Sequence, residues 1–369
     1  MSKILRLAVF VFSGLAGLWF YFWWVSHPLV AIAGSLFVLF VFAALFALQF
    51  FTIWRVNQRD PSPQATPAQH VQAWWSEVRL AIKVFVVQQA WFEHKFKDSI
   101  QGDSGKKPLT AVSTVTNKTT ETHAELFSSE NFPKKQRGIV FVHGFLCNRG
   151  FWNPWLQQLQ ARDSPYVAIS LEPVFTSIDT YTPQLEQAVS HLTACTGVPP
   201  LIICHSMGGL VARAWLRAFP SGATRVSHIV TIGTPHHGTG IVQGPSFAAN
   251  ATQMQRTSEW IADLAADEQA SQPKPDSRNA SNQDQTRESD SKIQYTSEAD
   301  PLQRSKLPGH QLTKNPYELF TCYYSNCDNI VFPTLTATLE GADNRFVPGQ
   351  AHVQMAFDET VMRESLARL

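Results

Sequence analysis

The N-terminal part of the chain contains two long apolar runs that are separated by a very short link. Neither residues 7–25 nor residues 29–54 include a charged side chain. Each run is long enough to cross the hydrocarbon core of a membrane, about 30 Å thick, as a helix. Because only residues 26–28 join the two runs, the pattern predicts a helical hairpin whose outer ends lie on the same side of a membrane.

The charges that flank the hairpin predict its orientation. Lys3 and Arg6 precede the first run, Arg55 and Arg59 follow the second, and no Lys or Arg lies between them. By the positive-inside rule, both outer ends face the cytoplasm. A cleaved signal peptide is the alternative interpretation. Against it, the apolar run is too long, no clean small-residue cleavage site follows, and a second span comes immediately.

A third apolar pattern, at residues 71–96, repeats with helical spacing after a polar, proline-containing linker. Two interpretations of this stretch remain open: it lies flat at the bilayer surface, or it packs on the domain that follows. Residues 97–137 are rich in Thr, Ser and Lys and contain few apolar side chains. This composition predicts a flexible or weakly structured connector.

From residue 138 onward, short apolar runs alternate with stretches of helical periodicity. The alternation predicts an α/β domain, with a mostly parallel sheet that is covered by helices on both faces. The predicted strands cover residues 138–143, 166–170, 201–204, 226–232, 318–324 and 345–347, and the predicted helices cover 155–162, 182–195, 207–219 and 353–369.

One long segment, at residues 241–312, interrupts this alternation. Its part at 247–264 has helical spacing, whereas residues 268–303 are nearly devoid of large apolar side chains and predict disorder. The chain therefore divides into a transmembrane hairpin (1–55), a juxtamembrane amphipathic helix with a linker (56–137), and an α/β domain (138–369) that contains the insertion, part of which could form a lid.

Charge and cysteine content exclude several classes of function. The net charge of the 369 residues is only +1, and no basic patch with interleaved aromatic residues occurs, so no nucleic-acid partner is expected. The five cysteines lack C-x-x-C spacing, which argues against a zinc knuckle or a disulfide scaffold. Isolated buried thiols are the favoured interpretation, although Cys322 and Cys327 could pair in an oxidising compartment. We predict neither a cofactor nor a metal.

The most informative motif lies where the third predicted strand ends. Residues 204–209, Cys-His-Ser-Met-Gly-Gly, follow the apolar run at 201–203 and open a helical stretch. A serine between a strand and a helix, followed by small residues, is typical of a nucleophile elbow, in which a sharp turn presents the hydroxyl above the sheet edge. Ser206 is therefore the candidate nucleophile of an enzyme that cleaves esters or amides. An ordinary strand-to-helix turn is the alternative.

A second motif, upstream of the serine, supports this interpretation. The strand predicted at 138–143 ends in His143-Gly144-Phe145. With these two motifs the chain resembles the α/β-hydrolase superfamily, in particular bacterial lipases and esterases, and the Gly-Thr-Pro-His-His-Gly run at 233–238 extends the resemblance. The resemblance implies the α/β-hydrolase fold and an oxyanion hole formed by the backbone N–H groups of Phe145 and Met207.

The resemblance also implies a catalytic triad in the chain order serine, acid, histidine. Downstream of Ser206, Asp328 follows the fifth predicted strand, and His352 lies just before the closing helix. We therefore predict that Asp328 orients His352 and that His352 removes the proton of Ser206. Glu340 and Asp343 are the alternative acids, but they lie at the wrong end of the last strand.

Two positions depart from the motifs of these families. Cys204 stands where the elbow usually has its first glycine, and it adds side-chain volume where helix and strand approach each other. Gln354 stands where some of the bacterial lipases that the chain resembles have an aspartate as a calcium ligand. A calcium site is therefore not expected.

Together these features predict a membrane-anchored serine hydrolase that cleaves carboxylic, lipid-like esters through an acyl-enzyme. The preference for lipids rests on the hairpin and on apolar residues beside the site, which could equally belong to the core: Phe145, Leu146, Phe151 and Trp152. An acyltransferase with the same triad and a catalytically silent membrane-binding module are the alternatives. We expect a multi-pass protein of the bacterial inner membrane with a cytoplasmic catalytic domain, whose partners are the membrane and an ester substrate.

Overall fold

A computed structural model describes residues 1–99, 136–244, 246–270 and 315–369. At its centre lies a six-stranded sheet with the order β2-β1-β3-β4-β5-β6, in which every neighbouring pair of strands is parallel. The predicted parallel α/β architecture is therefore confirmed. The strands are β1 (Ile139–Val142), β2 (Tyr166–Ile169), β3 (Leu201–His205), β4 (His228–Ile232), β5 (Phe320–Tyr324) and β6 (Asp343–Phe346).

Helices connect the strands and cover the sheet. They are α1 (Ser2–Trp24), α2 (Pro28–Asn57), α3 (Pro67–Ala81), α4 (Gln89–Trp91), α5 (Asn153–Ala161), α6 (Thr182–Thr196), α7 (Met207–Ala218), α8 (Gly222–Arg225), α9 (Ala249–Gln253), α10 (Glu259–Ala270), α11 (His352–Met355) and α12 (Glu359–Leu366). A π-helical segment, Ile82–Gln88, joins α3 to α4, and short 3-10 turns lie at Arg149–Trp152, Ile178–Tyr181, Pro316–Leu319 and Thr334–Ala337.

The two faces of the sheet carry separate apolar layers. Val140 and Val142 of β1 pack with α6 and α7 on one face, and Ile139 and Phe141 pack with α5 and α12 on the other. Successive side chains of a strand point to opposite faces, so a strand that is apolar at every position needs cover on both sides. This is why the continuous apolar runs of the sequence occupy the centre of the domain.

The two N-terminal helices, α1 and α2, pack against each other and are long and apolar enough to cross a membrane, by length and composition alone. Their outer ends contact the α/β domain or the segment that leads to it. The N-terminal amine of Met1 lies 3.0 Å from Glu172 Oε1, and Arg6 Nε donates a hydrogen bond to the Ala90 carbonyl. At the other end, Asn57 Nδ2 donates to the Asn326 carbonyl.

Helix α3 packs on the α/β domain, which is one of the two interpretations that the sequence left open. Thr66 caps the helix through its side chain, with Gln69 completing a capping box. Trp74 donates a hydrogen bond to the Ala43 carbonyl of α2, and Glu77 bonds to the backbone at Val353. Other apolar side chains of this stretch, such as Val71, stay exposed.

The predicted strands and most predicted helices shift by no more than two residues, whereas three predictions differ further. The closing helix is interrupted, because Asp358 accepts hydrogen bonds from the first N–H groups of α12 and so starts a new helix. The helical stretch at 247–264 is likewise two helices, α9 and α10. Predicted disorder from residue 268 is wrong for residues 268–270, which end α10; the rest of that segment, and most of the predicted connector, lie outside the described residues.

Candidate active site

Ser206 occupies the turn between β3 and α7. Its backbone has φ +54° and ψ −126°, a conformation that costs a non-glycine residue on the order of 1–3 kcal/mol. The Ser206 N–H donates to the Ile232 carbonyl at 2.9 Å, and the Ser206 carbonyl accepts a hydrogen bond from Thr234 Oγ1 at 2.8 Å. These bonds, to the last residue of β4 and to the loop after it, stabilise the strained turn.

Glycines after the serine allow helix α7 to begin close to the sheet. A Cβ on Gly208 would lie 2.4 Å from the Val142 carbonyl oxygen, and a Cβ on Gly209 would lie 2.3 Å from Thr234 Oγ1. Cys204, which replaces the usual first glycine, is a completely buried free thiol in an apolar layer of the sheet. The elbow therefore forms with a cysteine at this position.

Asp328 and His352 form a buried pair at the carboxyl edge of the sheet. His352 Nδ1 lies 3.0 Å from both carboxylate oxygens of Asp328, and the side chains are 6% and 2% exposed, respectively. Asp328 Oδ1 also accepts hydrogen bonds from the N–H groups of Ile330 and Val331, at 2.9 and 2.8 Å. Because Nδ1 is held by the carboxylate, Nε2 is the ring nitrogen that remains to accept a proton.

The electrostatic surroundings of His352 favour its charged form. Burial lowers the pKa of His352, but the charge of Asp328 and its hydrogen bond raise this pKa, and the charge of Glu77 acts in the same direction. The net result is a pKa above the ordinary value of 6.5. The site therefore stabilises the imidazolium that would form when His352 takes a proton.

Three neighbouring strands bring the parts of the site to one edge. Ser206 follows β3, Gly233 follows β4 and Asp328 lies beyond the end of β5. A Cβ on Gly233 would lie 2.9 Å from Asp328 Oδ2 and 3.1 Å from His352 Nδ1. The ring of His205, directly before the serine, lies 4.6 Å from the His352 ring, centroid to centroid.

Ser206 thus lies beside the Asp328–His352 pair, but the structure does not join it to them. Within the part of the chain that the structure describes, no hydrogen bond connects the Ser206 hydroxyl with His352. Hydrogen bonds between catalytic groups are often long in an unliganded enzyme and tighten when substrate binds. Ser206, Asp328 and His352 follow one another in the chain order that the sequence analysis expects.

The two predicted oxyanion donors flank the serine. Met207 is the first residue of α7, and Phe145 follows Gly144, on which a Cβ would lie only 2.8 Å from the Ser206 Cβ. Among the described residues, neither the Phe145 nor the Met207 N–H donates a hydrogen bond to the protein. Two free N–H groups beside a serine hydroxyl are an arrangement that can stabilise a carbonyl oxygen as it becomes negative.

Asp343 and Glu340, the alternative acids, and His143 of the His-Gly-Phe motif lie in other surroundings. Asp343 lies in β6 and pairs with Arg345 and Arg368, at 2.9 and 3.1 Å. Glu340 is exposed, in the turn before β6. His143 Nε2 accepts a hydrogen bond from the Leu171 N–H, and burial lowers the pKa of His143 to about 4. His143 therefore supports the loop after β1.

The apolar residues that the sequence placed beside the site divide into two groups. Phe151 and Trp152 are completely buried and belong to the core on one face of the sheet. Leu146 is 38% exposed, and Phe145 contacts Phe175 with ring centroids 6.1 Å apart. Only Phe145 and Leu146 of the four are therefore available to contact a substrate.

Two residues that sequence reasoning did not identify hold the backbone at His352. Asn329 Oδ1 accepts the hydrogen bond of the His352 N–H at 3.2 Å. Glu77 accepts the Val353 N–H at 3.0 Å, although it precedes Val353 by 276 positions. The apolar periodicity of this stretch does not mark Glu77, because the helix turns Ala73, Glu77 and Ala81 inward and leaves Val71 and Trp75 exposed.

Metal ligands were not predicted, and the described residues contain no group of three or more His, Cys, Asp or Glu side chains that could hold a metal ion. Gln354, at the position of the calcium-binding aspartate of related lipases, instead accepts a hydrogen bond from the Ala351 N–H at 3.3 Å.

Residues 139–362, well over half of the chain, match the model of the alpha/beta hydrolase family. The sheet, the elbow and the Asp328–His352 pair lie within the matched range. The chain therefore belongs to the alpha/beta hydrolase family. Among curated proteins, none matches the chain.

Several solved structures resemble the chain at low identity. Aspergillus fumigatus lipase B is 16% identical, with a TM-score of 0.42, over 62% of this chain and 51% of that one. The mature form of Bacillus licheniformis lipase BlEst2 is 15% identical, with a TM-score of 0.42, over 61% and 89% of the two chains. Legionella pneumophila phospholipase PlaB is 20% identical, with a TM-score of 0.31, over 36% and 35%. The chain thus spans about half of the length of the first of these proteins, and the family assignment rests on the family model.

Proposed function

We propose that the protein is a serine hydrolase that cleaves carboxylic esters through an acyl-enzyme. The observation that carries the proposal is the buried Asp328–His352 pair, 3.0 Å apart, at the sheet edge where Ser206 occupies a strained elbow. A serine hydroxyl is a poor nucleophile unless a base removes its proton, and the base needs an acid that fixes its tautomer. The three residues supply these roles in the chain order of the family.

In the proposed reaction, Ser206 Oγ attacks the ester carbonyl carbon while His352 Nε2 takes the hydroxyl proton. The carbonyl oxygen becomes negative and accepts hydrogen bonds from the N–H groups of Phe145 and Met207. The intermediate then collapses, the bond to the leaving alcohol breaks, and His352 returns the proton to that alcohol. Water, deprotonated by His352, attacks the acyl-enzyme, which releases the carboxylic acid and restores Ser206.

We also propose that α1 and α2 anchor the enzyme in a membrane. The 30 residues of α2 extend for about 45 Å at 1.5 Å per residue, whereas a hydrocarbon core needs only about 20 residues. About ten residues at the C-terminal end remain, and there Phe50 and Ile53 are buried against Cys327 and Phe332 of the α/β domain. In this arrangement the active site lies at the membrane surface.

A lipid-like ester is therefore the substrate that we propose. An ester that partitions into the bilayer would reach a site held at its surface without crossing water. The partly exposed Leu146 and Phe175 and the largely exposed Phe247 offer apolar contacts near Phe145. The proposed setting is a bacterial inner membrane with the α/β domain in the cytoplasm, and a reporter fused after Leu369 that is active only in the periplasm would contradict that orientation.

A fluorophosphonate probe tests the catalytic proposal, because it reacts with an activated serine. We expect covalent labelling of the full-length wild-type protein and none of Ser206→Ala. His352→Ala should reduce the turnover of a chromogenic ester by several orders of magnitude. Absence of labelling in both proteins would indicate a silent binding module, and ester products formed with added alcohol would indicate an acyltransferase.

A further inference from the structure

Glu77 lies on α3, outside the α/β domain, and yet it is one of the most buried carboxylates of the protein, with 1% of its surface exposed. Its Oε1 accepts a hydrogen bond from the Val353 N–H at 3.0 Å. Its Oε2 lies 3.2 Å from the N–H groups of both Val353 and Gln354. Both residues directly follow the candidate base His352.

A buried carboxylate is costly unless hydrogen bonds compensate for the lost water. Burial raises the pKa of Glu77 to about 7, while the N–H groups of Val353 and Gln354 and the charge of His352 act in the opposite direction. The N–H groups that follow His352 therefore stabilise the buried Glu77 carboxylate, and the carboxylate in turn holds the backbone of that segment.

Together with Asn329, Glu77 holds three consecutive backbone N–H groups. Asn329 accepts the N–H of His352, and Glu77 accepts those of Val353 and Gln354. Side chains thus fix the orientation of the chain at the point where the imidazole branches from it. Displacing catalytic groups by about 1 Å can lower a rate by about 100-fold.

We propose that Glu77 is a positioning residue for His352, so that the juxtamembrane helix is part of the catalytic machinery. The proposal rests on the proposed esterase function. Glu77 does not reach the reacting atoms; it fixes the backbone of the base and places a negative charge near its ring. His352 is faced by Asp328, Glu77 and His205.

The test compares full-length wild type, Glu77→Gln and Glu77→Asp with a soluble p-nitrophenyl ester, with active sites counted by fluorophosphonate. For Glu77→Gln we expect kcat per active site to fall about 10- to 100-fold with little change in KM. We also expect the acid limb of kcat/KM to move to lower pH, because the charge that raises the His352 pKa is lost. Glu77→Asp should lose kcat through its shorter reach but keep an acid limb near that of the wild type.

A control variant is Glu364→Gln, which removes a carboxylate bound to Arg345 and Tyr323; it should leave kcat and the acid limb unchanged. A merely structural Glu77 would lower the melting temperature but leave kcat per active site and the acid limb unchanged, and that result would overturn the proposal. NMR titration of the His352 ring separates a positioning role of Glu77 from a merely structural one. The ring signal is assigned as the one that disappears in His352→Ala. If the protein has no esterase activity, the proposed function is rejected. If the His352 pKa is nevertheless lower in Glu77→Gln than in the wild type, the electrostatic coupling between Glu77 and His352 is retained.

An independent observation concerns a cavity of about 760 Å³ beside the end of α2. Arg55, Arg59 and Arg256 line it, together with His237 and Asp60. In the described part of the chain, none of the three arginines forms an ion pair. The Asp60 carboxylate accepts the backbone N–H groups of Ser62 and Leu335 instead.

Arg55 and Arg59 lie about one turn apart near the end of α2, and Arg256 reaches the same cavity from a distant part of the chain. Three positive charges against the one carboxylate of Asp60 in this lining favour an additional anion in the cavity. Guanidinium forms charge-assisted, often bidentate hydrogen bonds with phosphate. The cavity also lies at the end of the helix that we propose to leave the membrane. The geometry points to a binding site for the phosphate of a lipid headgroup, which, on the proposed function, belongs to the substrate.

The test uses two esters with the same acyl chains in the same detergent micelles, a phosphatidylglycerol and a diacylglycerol. We expect Arg59→Gln and Arg256→Gln to raise KM for the phospholipid about tenfold and to leave diacylglycerol hydrolysis unchanged. The control Arg162→Gln, at the exposed end of α5, should affect neither substrate. Equal kinetics of the wild type on both lipids, or unchanged kinetics of both arginine variants on the phospholipid, would overturn the proposal.

Inorganic phosphate distinguishes the two sources of the anion. Millimolar phosphate that binds the wild type but not Arg256→Gln, and that leaves the phospholipid KM unchanged, would assign the cavity to free phosphate and overturn the lipid assignment. Turnover of p-nitrophenyl esters without turnover of either lipid would reject this site. If the wild type hydrolyses neither the p-nitrophenyl ester nor either lipid and is not labelled by fluorophosphonate, the proposed function is rejected. Unchanged phospholipid binding in Arg256→Gln would then reject the phosphate site as well.

Discussion

The side chain of Asn329 links α2 to the backbone of His352. Asn329 Nδ2 donates to Gln49 Oε1 at 2.9 Å, and its Oδ1 accepts the His352 N–H at 3.2 Å. Asn329 is completely buried. A helix that we propose to enter the membrane is thus connected, through one amide, to the candidate base.

Asn329→Ala should therefore affect both stability and reactivity. The substitution leaves the buried His352 N–H without an acceptor, which costs about 1–3 kcal/mol. We expect a lower melting temperature in detergent and slower fluorophosphonate labelling of the folded fraction. Asn344→Ala is the matched control, since the exposed Asn344 of β6 bonds to Leu339, which lies before that strand and away from His352; a labelling rate as slow as that of Asn329→Ala would contradict this interpretation.

The pH dependence of ester hydrolysis should report the raised pKa of His352. A protonated imidazole cannot accept the serine proton, so activity is lost as the pH falls through the His352 pKa. Because the charges of Asp328 and Glu77 outweigh burial at this ring, the midpoint of the acid limb of kcat/KM should lie above pH 6.5. Asp328→Asn should lower turnover by about 10⁴-fold. An acid limb centred below pH 6.5 in the wild type would contradict the assignment of the base.

Gly208→Ala should prevent the elbow from forming. The added Cβ would lie 2.4 Å from the Val142 carbonyl oxygen and 2.9 Å from that of His143, and neither backbone group can move without disturbing β1 or the oxyanion loop. We expect little folded protein, and no fluorophosphonate labelling of what folds. Gly14→Ala in α1, where no atom lies within 4 Å of the new Cβ, should be labelled like the wild type.

Arg213→Met should destabilise the domain strongly. Arg213 is 1% exposed and forms a bidentate pair with Glu268, at 2.9 and 2.6 Å, while its remaining nitrogen donates to the His236 carbonyl at 2.7 Å. Removing one partner of such a pair leaves a buried charge and costs about 3–5 kcal/mol. Thermal unfolding measures the loss. Arg345→Met, which breaks a half-exposed pair with Glu364, should cost only about 0–1 kcal/mol; equal losses in both variants would contradict the argument.

The sequence could predict the parts of the site whose geometry is local. Strand, serine and glycines follow one another within residues 201–209, so the elbow is visible in the order of residues alone. The acid and the base were found by chain order and by their positions after predicted strands, and the structure brings Asp328 and His352 together as this order implies. Whether Phe151 and Trp152 face the core or a substrate was undecidable, because an apolar residue suits either position.

Contacts between distant segments were beyond the reach of the sequence. The interaction of Glu77 with Val353 spans 276 positions, and no sequence motif marks it. Glu268, which pairs with Arg213, lies at the edge of a segment whose composition predicts disorder. Interruption of the closing helix at Asp358 is a local capping event, and it was missed because apolar periodicity continues through it.

The parallel α/β domain, the elbow with Ser206 and the order of the candidate triad can be predicted from the amino-acid sequence, because strand periodicity and turn chemistry depend on neighbouring residues. Which polar groups support the candidate base depends on contacts between distant segments: α2 contacts the loop that carries Asp328, and α3 contacts the backbone that follows His352. The physical reason is that a buried carboxylate or amide is satisfied by whichever backbone group the fold brings within hydrogen-bonding distance. Which groups come within this distance depends on how distant segments pack together, and no pattern along the sequence predicts it.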